Sequence, residues 1–83
     1  MEIIFEQLFV DHLKNCPAEF QNHFRYYYEL LKQASNLKEV EGVKKLGTSK
    51  TDYKLVIGKC RIGMQLENST VTFVCFIFNP YLK

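Results

Sequence analysis

YKLVIGKCRIGMQLENSTVTFVCFIF, residues 53–78, decides the fold. Apolar and other residues alternate through most of it, as they do in half-buried strands. Gly58-Lys59 has glycine first, the order a two-residue type II′ turn prefers. A hairpin closed there sets Ile57 opposite Cys60, Leu55 opposite Ile62 and Tyr53 opposite Met64. Asn68-Ser69 supplies a second turn. It sets Leu66 opposite Val71, Met64 opposite Phe73, Ile62 opposite Cys75 and Cys60 opposite Ile77. Both turns select one apolar face. The other face is then expected to carry Lys54, Val56, Arg61, Gly63, Thr72, Val74, Phe76 and Phe78. A buried charge costs several kcal/mol unless paired. Lys54 and Arg61 therefore point at water, at a partner or at a phosphate, with Gly63 leaving a hollow beside them.

The remaining sequence supplies a cover for the apolar face. Glu2–Phe5 reads as a short strand, and Glu6–Asn15, with Phe9 and Leu13 four apart, as a short helix. Pro17 suits the first turn of a second helix running to about Ala34. Phe20, Phe24, Tyr27 and Leu31 make its apolar stripe. Tyr26, Tyr27 and Tyr28 cannot all face inward. Val43–Gly47 is read as a short edge strand. The expected fold is α+β, a single domain over residues 1–83. An N-terminal strand and two helices pack on one face of a small antiparallel meander.

A chain of 83 residues, 47% hydrophobic and 24% charged, suits one ordinary globule. No apolar run reaches the roughly 20 residues that span a bilayer, so no membrane partner is expected. MEIIFEQLF lacks a basic leader segment, and a signal peptide is not expected. Cys16, Cys60 and Cys75 have no metal-ligand spacing, and His12 and His23 suggest no zinc site. Free thiols in a reducing cytoplasm, and no metal or cofactor, are expected. Charge is uneven. Residues 1–43 hold four basic against seven acidic side chains, and residues 44–83 hold seven against two. The positive charge sits with the sheet and favours an anionic partner there. Cations beside aromatic rings suit RNA. A contiguous apolar patch of Val56, Val74, Phe76 and Phe78 suits protein docking. A solvated face with lysines lying over aromatics is the third reading.

GVKKLG, DYKLVIGKCRIGMQLEN and STVTFVCFIF, in this order after a strand and two helices, resemble the RelE/ParE family of bacterial toxins. The likeness spans essentially the whole chain and is most specific over residues 53–67. It implies a cytoplasmic toxin held by a cognate antitoxin. For RelE-type members it implies metal-free mRNA cleavage in the ribosomal A site. There a 2′-OH attacks the adjacent phosphate in line, and the 5′ oxygen leaves. Lys54 and Arg61 fall where the family places a catalytic lysine and arginine. Arg61 suits the forked contact with phosphate oxygens. Lys54 accepts a proton only in its neutral form and otherwise supplies charge. Lys44, Lys45, Lys59, Phe76 and Lys83 would bind RNA. The family's C-terminal arginine and tyrosine positions read Asn79 and Lys83, and Val56 stands where some members have a base. Tyr81 is the tyrosine left to act, by a shifted register. One missing cation would lower the rate by about two to three decades. The alternative is a non-catalytic relative, either a ParE-like inhibitor of DNA gyrase or an inactive protein that still binds an antitoxin.

Overall fold

A computed structural model describes residues 1–78. The element order is β1 (Glu2–Phe5), α1 (Gln7–Lys14), α2 (Ala18–Gln33), a 3₁₀ turn (Leu37–Glu39), β2 (Val43–Lys45), β3 (Asp52–Ile57), β4 (Cys60–Glu67) and β5 (Thr70–Phe78). The strands form one mixed sheet in the order β1-β5-β4-β3-β2. The β3–β4–β5 meander is antiparallel, β2 adds antiparallel at one edge, and β1 pairs parallel with β5 at the other. Both helices lie on one face. Pro17 is the N-cap of α2 rather than its first helical residue, and its carbonyl accepts from the Phe20 and Gln21 amides.

An aromatic cluster joins the layers. Phe9 of α1 and Phe24 of α2 stand 5.2 Å apart, ring centre to ring centre, and each contacts Phe73 of β5, at 5.1 and 5.3 Å. Gln21 holds the two helices together, its Nε2 donating to the carbonyls of Leu13 and Cys16. Leu31, Leu37, Leu55, Cys60, Ile62, Met64 and Val71 complete the fully buried interior. Tyr26 is the tyrosine left outside, 62% exposed.

The first hairpin has the register expected, with Lys54 opposite Gly63 and Val56 opposite Arg61. Gly58 takes φ +56, as the first turn position requires. The second hairpin begins as expected, with Leu66 opposite Val71 and Met64 opposite Phe73. A bulge then shifts the pairing: Gly63 faces Cys75, Ile62 faces Phe76, Arg61 faces Ile77 and Cys60 faces Phe78. The expected pairs Ile62–Cys75 and Cys60–Ile77 do not form. The reason is what each register buries. The bulge exchanges Cys75 and Ile77 for two phenylalanines on the helix-covered face. Burying a large apolar side chain is worth roughly 1.5–3 kcal/mol. Phe76 meets Phe9 and Phe24, at 5.8 and 6.1 Å, and Phe78 meets Phe20 at 4.7 Å. Gly63 makes room for the shift, because a Cβ there would lie 2.8 Å from the Cys75 sulfur.

Beyond the end of β1, α1 lies along β5, and His12 Nδ1 accepts the Phe76 amide N–H at 3.3 Å. His12→Ala removes the acceptor of a half-buried donor and is expected to cost about 1 kcal/mol in a urea unfolding titration. At the second turn, Asn68 (φ 49) and Ser69 (φ 67) are both left-handed. Ser69 is strained there, where Asn-Gly is the favoured pair. Ser69→Gly is expected to raise stability by about 0.5 kcal/mol in the same titration.

Candidate functional site

Period-two alternation along β3 and β4 sends Tyr53, Leu55, Ile57, Cys60, Ile62 and Met64 into the interior. Lys54, Val56, Arg61 and Gly63 are left on the uncovered face. The register lays these out in rows. One row runs Lys44, Lys54, Gly63, Cys75 across β2, β3, β4 and β5, and the next runs Val56, Arg61, Ile77. Lys54 and Arg61 are thus diagonal neighbours on one face, both half-buried. Arg61 Nη1 donates to the carbonyls of Gly58 and Cys60, each at 3.2 Å. Both bonds use one terminal nitrogen, which leaves Nη2 and Nε of the guanidinium fork for other partners. Asp52, two residues before Lys54, accepts from Gln65 Nε2 at 3.3 Å.

Lys44 faces Lys54 directly across the strand pair. Like charges in that position oppose folding by roughly 0.2–1 kcal/mol. Lys44→Thr is therefore expected to raise the urea midpoint slightly while weakening anion binding at the same face.

Other expected residues sit elsewhere. Phe76, expected on the open face for both RNA and partner binding, is 3% exposed in the core. Phe78, expected in the apolar patch, packs on Phe20 beneath the helices. The bulge moved both. Val56 and Val74 remain on the open face, half-buried. Ile77, 51% exposed, takes the place expected of the phenylalanines. Val74 and Cys75 border a shallow depression of about 150 Å³ where Gly63 was expected to leave a hollow; the Cys75 sulfur covers part of it. Lys45 faces Tyr53, so it projects from the helix side of the edge rather than beside Lys44. Lys59 is exposed at the hairpin tip. Tyr81 and Lys83 lie outside the described residues.

The three cysteines are free. Cys16 and Cys60 are buried within hydrogen-bonding reach of each other. Burial pushes the Cys60 thiol up to about 11, the neighbouring Cys16 adding to it, and raises the Cys16 thiol as well. These two thiols stay protonated near neutral pH and are shielded, whereas Cys75 is half-exposed. A thiol reagent at neutral pH is expected to label Cys75 rapidly, and Cys16 and Cys60 only after unfolding, read by peptide mass mapping.

No family model matches the chain. A curated relative does: toxin RelE3 of Methanocaldococcus jannaschii is 24% identical over 74 residues, spanning 88% of this chain and 84% of the relative. Its alignment joins a fold likeness over nearly the same length. The RelB-RelE antitoxin-toxin complex from Methanococcus jannaschii contains a chain similar at a TM-score of 0.81 and 21% identity, over 90% of this chain and 88% of that one. The chain has the RelE-like fold. An archaeal RelE-RelB complex from Pyrococcus horikoshii OT3 shares the RelE-like fold at TM-score 0.78 and 14% identity, over 98% of this chain and 97% of that one. The RelBE2 toxin-antitoxin complex from Mycobacterium tuberculosis is more distant, at TM-score 0.60 and 13% identity over 94% and 96%. These RelE-named relatives give no support to the gyrase-inhibitor alternative. Archaeal proteins are among them, so the likeness does not point to a bacterial source. No helix among the described residues is long and apolar enough to cross a membrane.

Proposed function

We propose that this chain is a RelE-type toxin of a toxin–antitoxin pair and cuts mRNA on the ribosome without a metal. The observation that carries the reading is the shared projection of Lys54 and Arg61 from the uncovered face, with part of the guanidinium unspent. Such a pair suits a scissile phosphate. Arg61 grips two non-bridging oxygens and stabilises the charge that builds in the five-coordinate transition state. Lys54 adds charge on the other side or, when neutral, takes the 2′-OH proton. The 2′ oxygen bonds to phosphorus, the bond to the 5′ oxygen breaks, and the products are a cyclic phosphate and a 5′-OH. Tyr81 stands for the acid that protonates the leaving oxygen. Lys44, Lys59 and Lys83 hold flanking phosphates, with Lys45 reached only by RNA that wraps the edge. The ribosome holds the substrate in line, so a small protein needs few groups of its own.

The partner is a cognate antitoxin, as in the RelB-RelE complexes that share the fold. Its docking on Val56, Val74 and Ile77 would cover Lys54 and Arg61 together, which makes inhibition and binding one event. The test is primer extension on ribosome-bound mRNA incubated with the purified chain. A single cut in the A-site codon is expected, lost when the nucleotide supplying the 2′-OH is replaced by its 2′-deoxy form. A cut that is indifferent to that replacement overturns the chemistry.

A further inference from the structure

At the tip of the β3–β4 hairpin a depression of about 390 Å³ lies between the sheet and α2, lined by Phe20, His23, Tyr26, Tyr27, Val56, Ile57 and Gly58. It opens where β2 has ended. The last β2-side contact to β3 is the Gly42 carbonyl accepting the Val56 amide, at 3.2 Å, so the outer edge of β3 beyond Val56 is free of a strand among the described residues. Its floor is apolar and its wall aromatic. The Tyr26 and Tyr27 rings stand perpendicular at 5.4 Å, with Tyr26 largely exposed, and the His23 and Phe20 rings stand perpendicular at 6.1 Å. None of these lining residues is a carboxylate. Two of the lining residues belong equally to the cationic face. Val56 is the cross-strand partner of Arg61, and the Gly58 carbonyl accepts from Arg61 Nη1. Lys59 follows Gly58 at the rim.

From this juxtaposition we infer that the depression is a nucleobase site for single-stranded RNA, with Tyr26 as the stacking platform. The inference rests on the RNA reading proposed above and extends it. A strand whose phosphate lies on Arg61 must send its next nucleotide past the hairpin tip or back across the sheet. At the tip that nucleotide meets an aromatic wall, cations at the rim and no acidic group in the lining to repel it. Rings beside cations suit a base and its phosphate together, and stacking accepts any base. An acidic peptide would share the cations, but an apolar side chain has no need of an exposed ring face. Tyr26, outside the core, is free to take that role without loss to the fold.

The test is fluorescence anisotropy with a labelled RNA oligonucleotide made uncleavable by 2′-deoxy substitution, titrated with the full chain at fixed salt. Tyr26→Ala is expected to weaken binding about ten- to hundredfold. Tyr26→Phe, which keeps the ring, is expected to bind as wild type. An abasic nucleotide at the stacked position is expected to abolish the difference between wild type and Tyr26→Ala. If Arg61→Ala weakens binding and Tyr26→Ala does not, the RNA reading stands and the base site is overturned. The base site is overturned equally if Tyr26→Ala weakens only the binding of a protein partner. If wild type shows no binding that depends on Arg61, the RNA reading itself fails and the base site with it.

Discussion

Arg61→Ala is expected to slow cleavage of ribosome-bound mRNA by about two to three orders of magnitude while leaving stability within about 1 kcal/mol of wild type. The first half follows from removal of a cation that faces charge formed only in the transition state. The second half follows from what Arg61 touches. Its hydrogen bonds go to two backbone carbonyls at the hairpin tip, which water can reach when the side chain is cut back. Arg61→Lys is expected to recover little, because an ammonium cannot reproduce the planar two-point contact. Single-turnover kinetics with excess protein separates the loss in the chemical step from a loss in binding. A variant with wild-type rate would remove Arg61 from the site altogether.

Phe76→Ala is expected to destabilise the protein by about 3–5 kcal/mol, a large share of what a domain of this size has available. Ile77→Ala, one residue along the same strand, is expected to change stability by less than about 0.5 kcal/mol. The contrast is a direct reading of the bulge. Phe76 is buried against Phe9 and Phe24, whereas Ile77 is half in water. A strand without the bulge would put Ile77 inside and Phe76 outside and would reverse the order of the two variants. Circular dichroism during urea titration measures both. Gly63→Val tests the same device from the opposite strand, since its branched side chain would collide with the Cys75 sulfur.

The first hairpin was legible because a turn glycine and strict alternation agree on one register. The same reasoning failed halfway along β5, and the sequence carries the reason. Val71 and Phe73 are two apart, and so are Phe76 and Phe78, but Phe73 and Phe76 are three apart. Two apolar phases joined by an odd step mark a bulge, and Gly63 opposite the step marks the space for it. Lys54 and Arg61 depend only on the first hairpin and share the face expected of them. Phe76 and Phe78 depend on the second and do not. Ile77 and Cys75 were missed on the open face for the same reason. Lys44 and Lys45 were both expected to bind RNA, although neighbours in a strand point opposite ways, which the pairing of β2 makes plain. Of the aromatic edge of α2, Phe20 and Tyr27 lay in the helical stripe already, whereas His23 and Tyr26 lay outside it. What the sequence could not supply was its position beside the free end of β3, which depends on where β2 stops.

The measurement that bears most directly on the proposed chemistry is induced expression of the wild-type chain beside the Lys54→Ala/Arg61→Ala double variant, with growth and the 5′ ends of cellular mRNA followed together. Wild type is expected to arrest growth and to raise new 5′ ends within coding regions, and the double variant, folded and equally abundant, is expected to do neither. Arrest and cleavage that persist unchanged in the double variant would contradict the claim that these two cations act on the scissile phosphate.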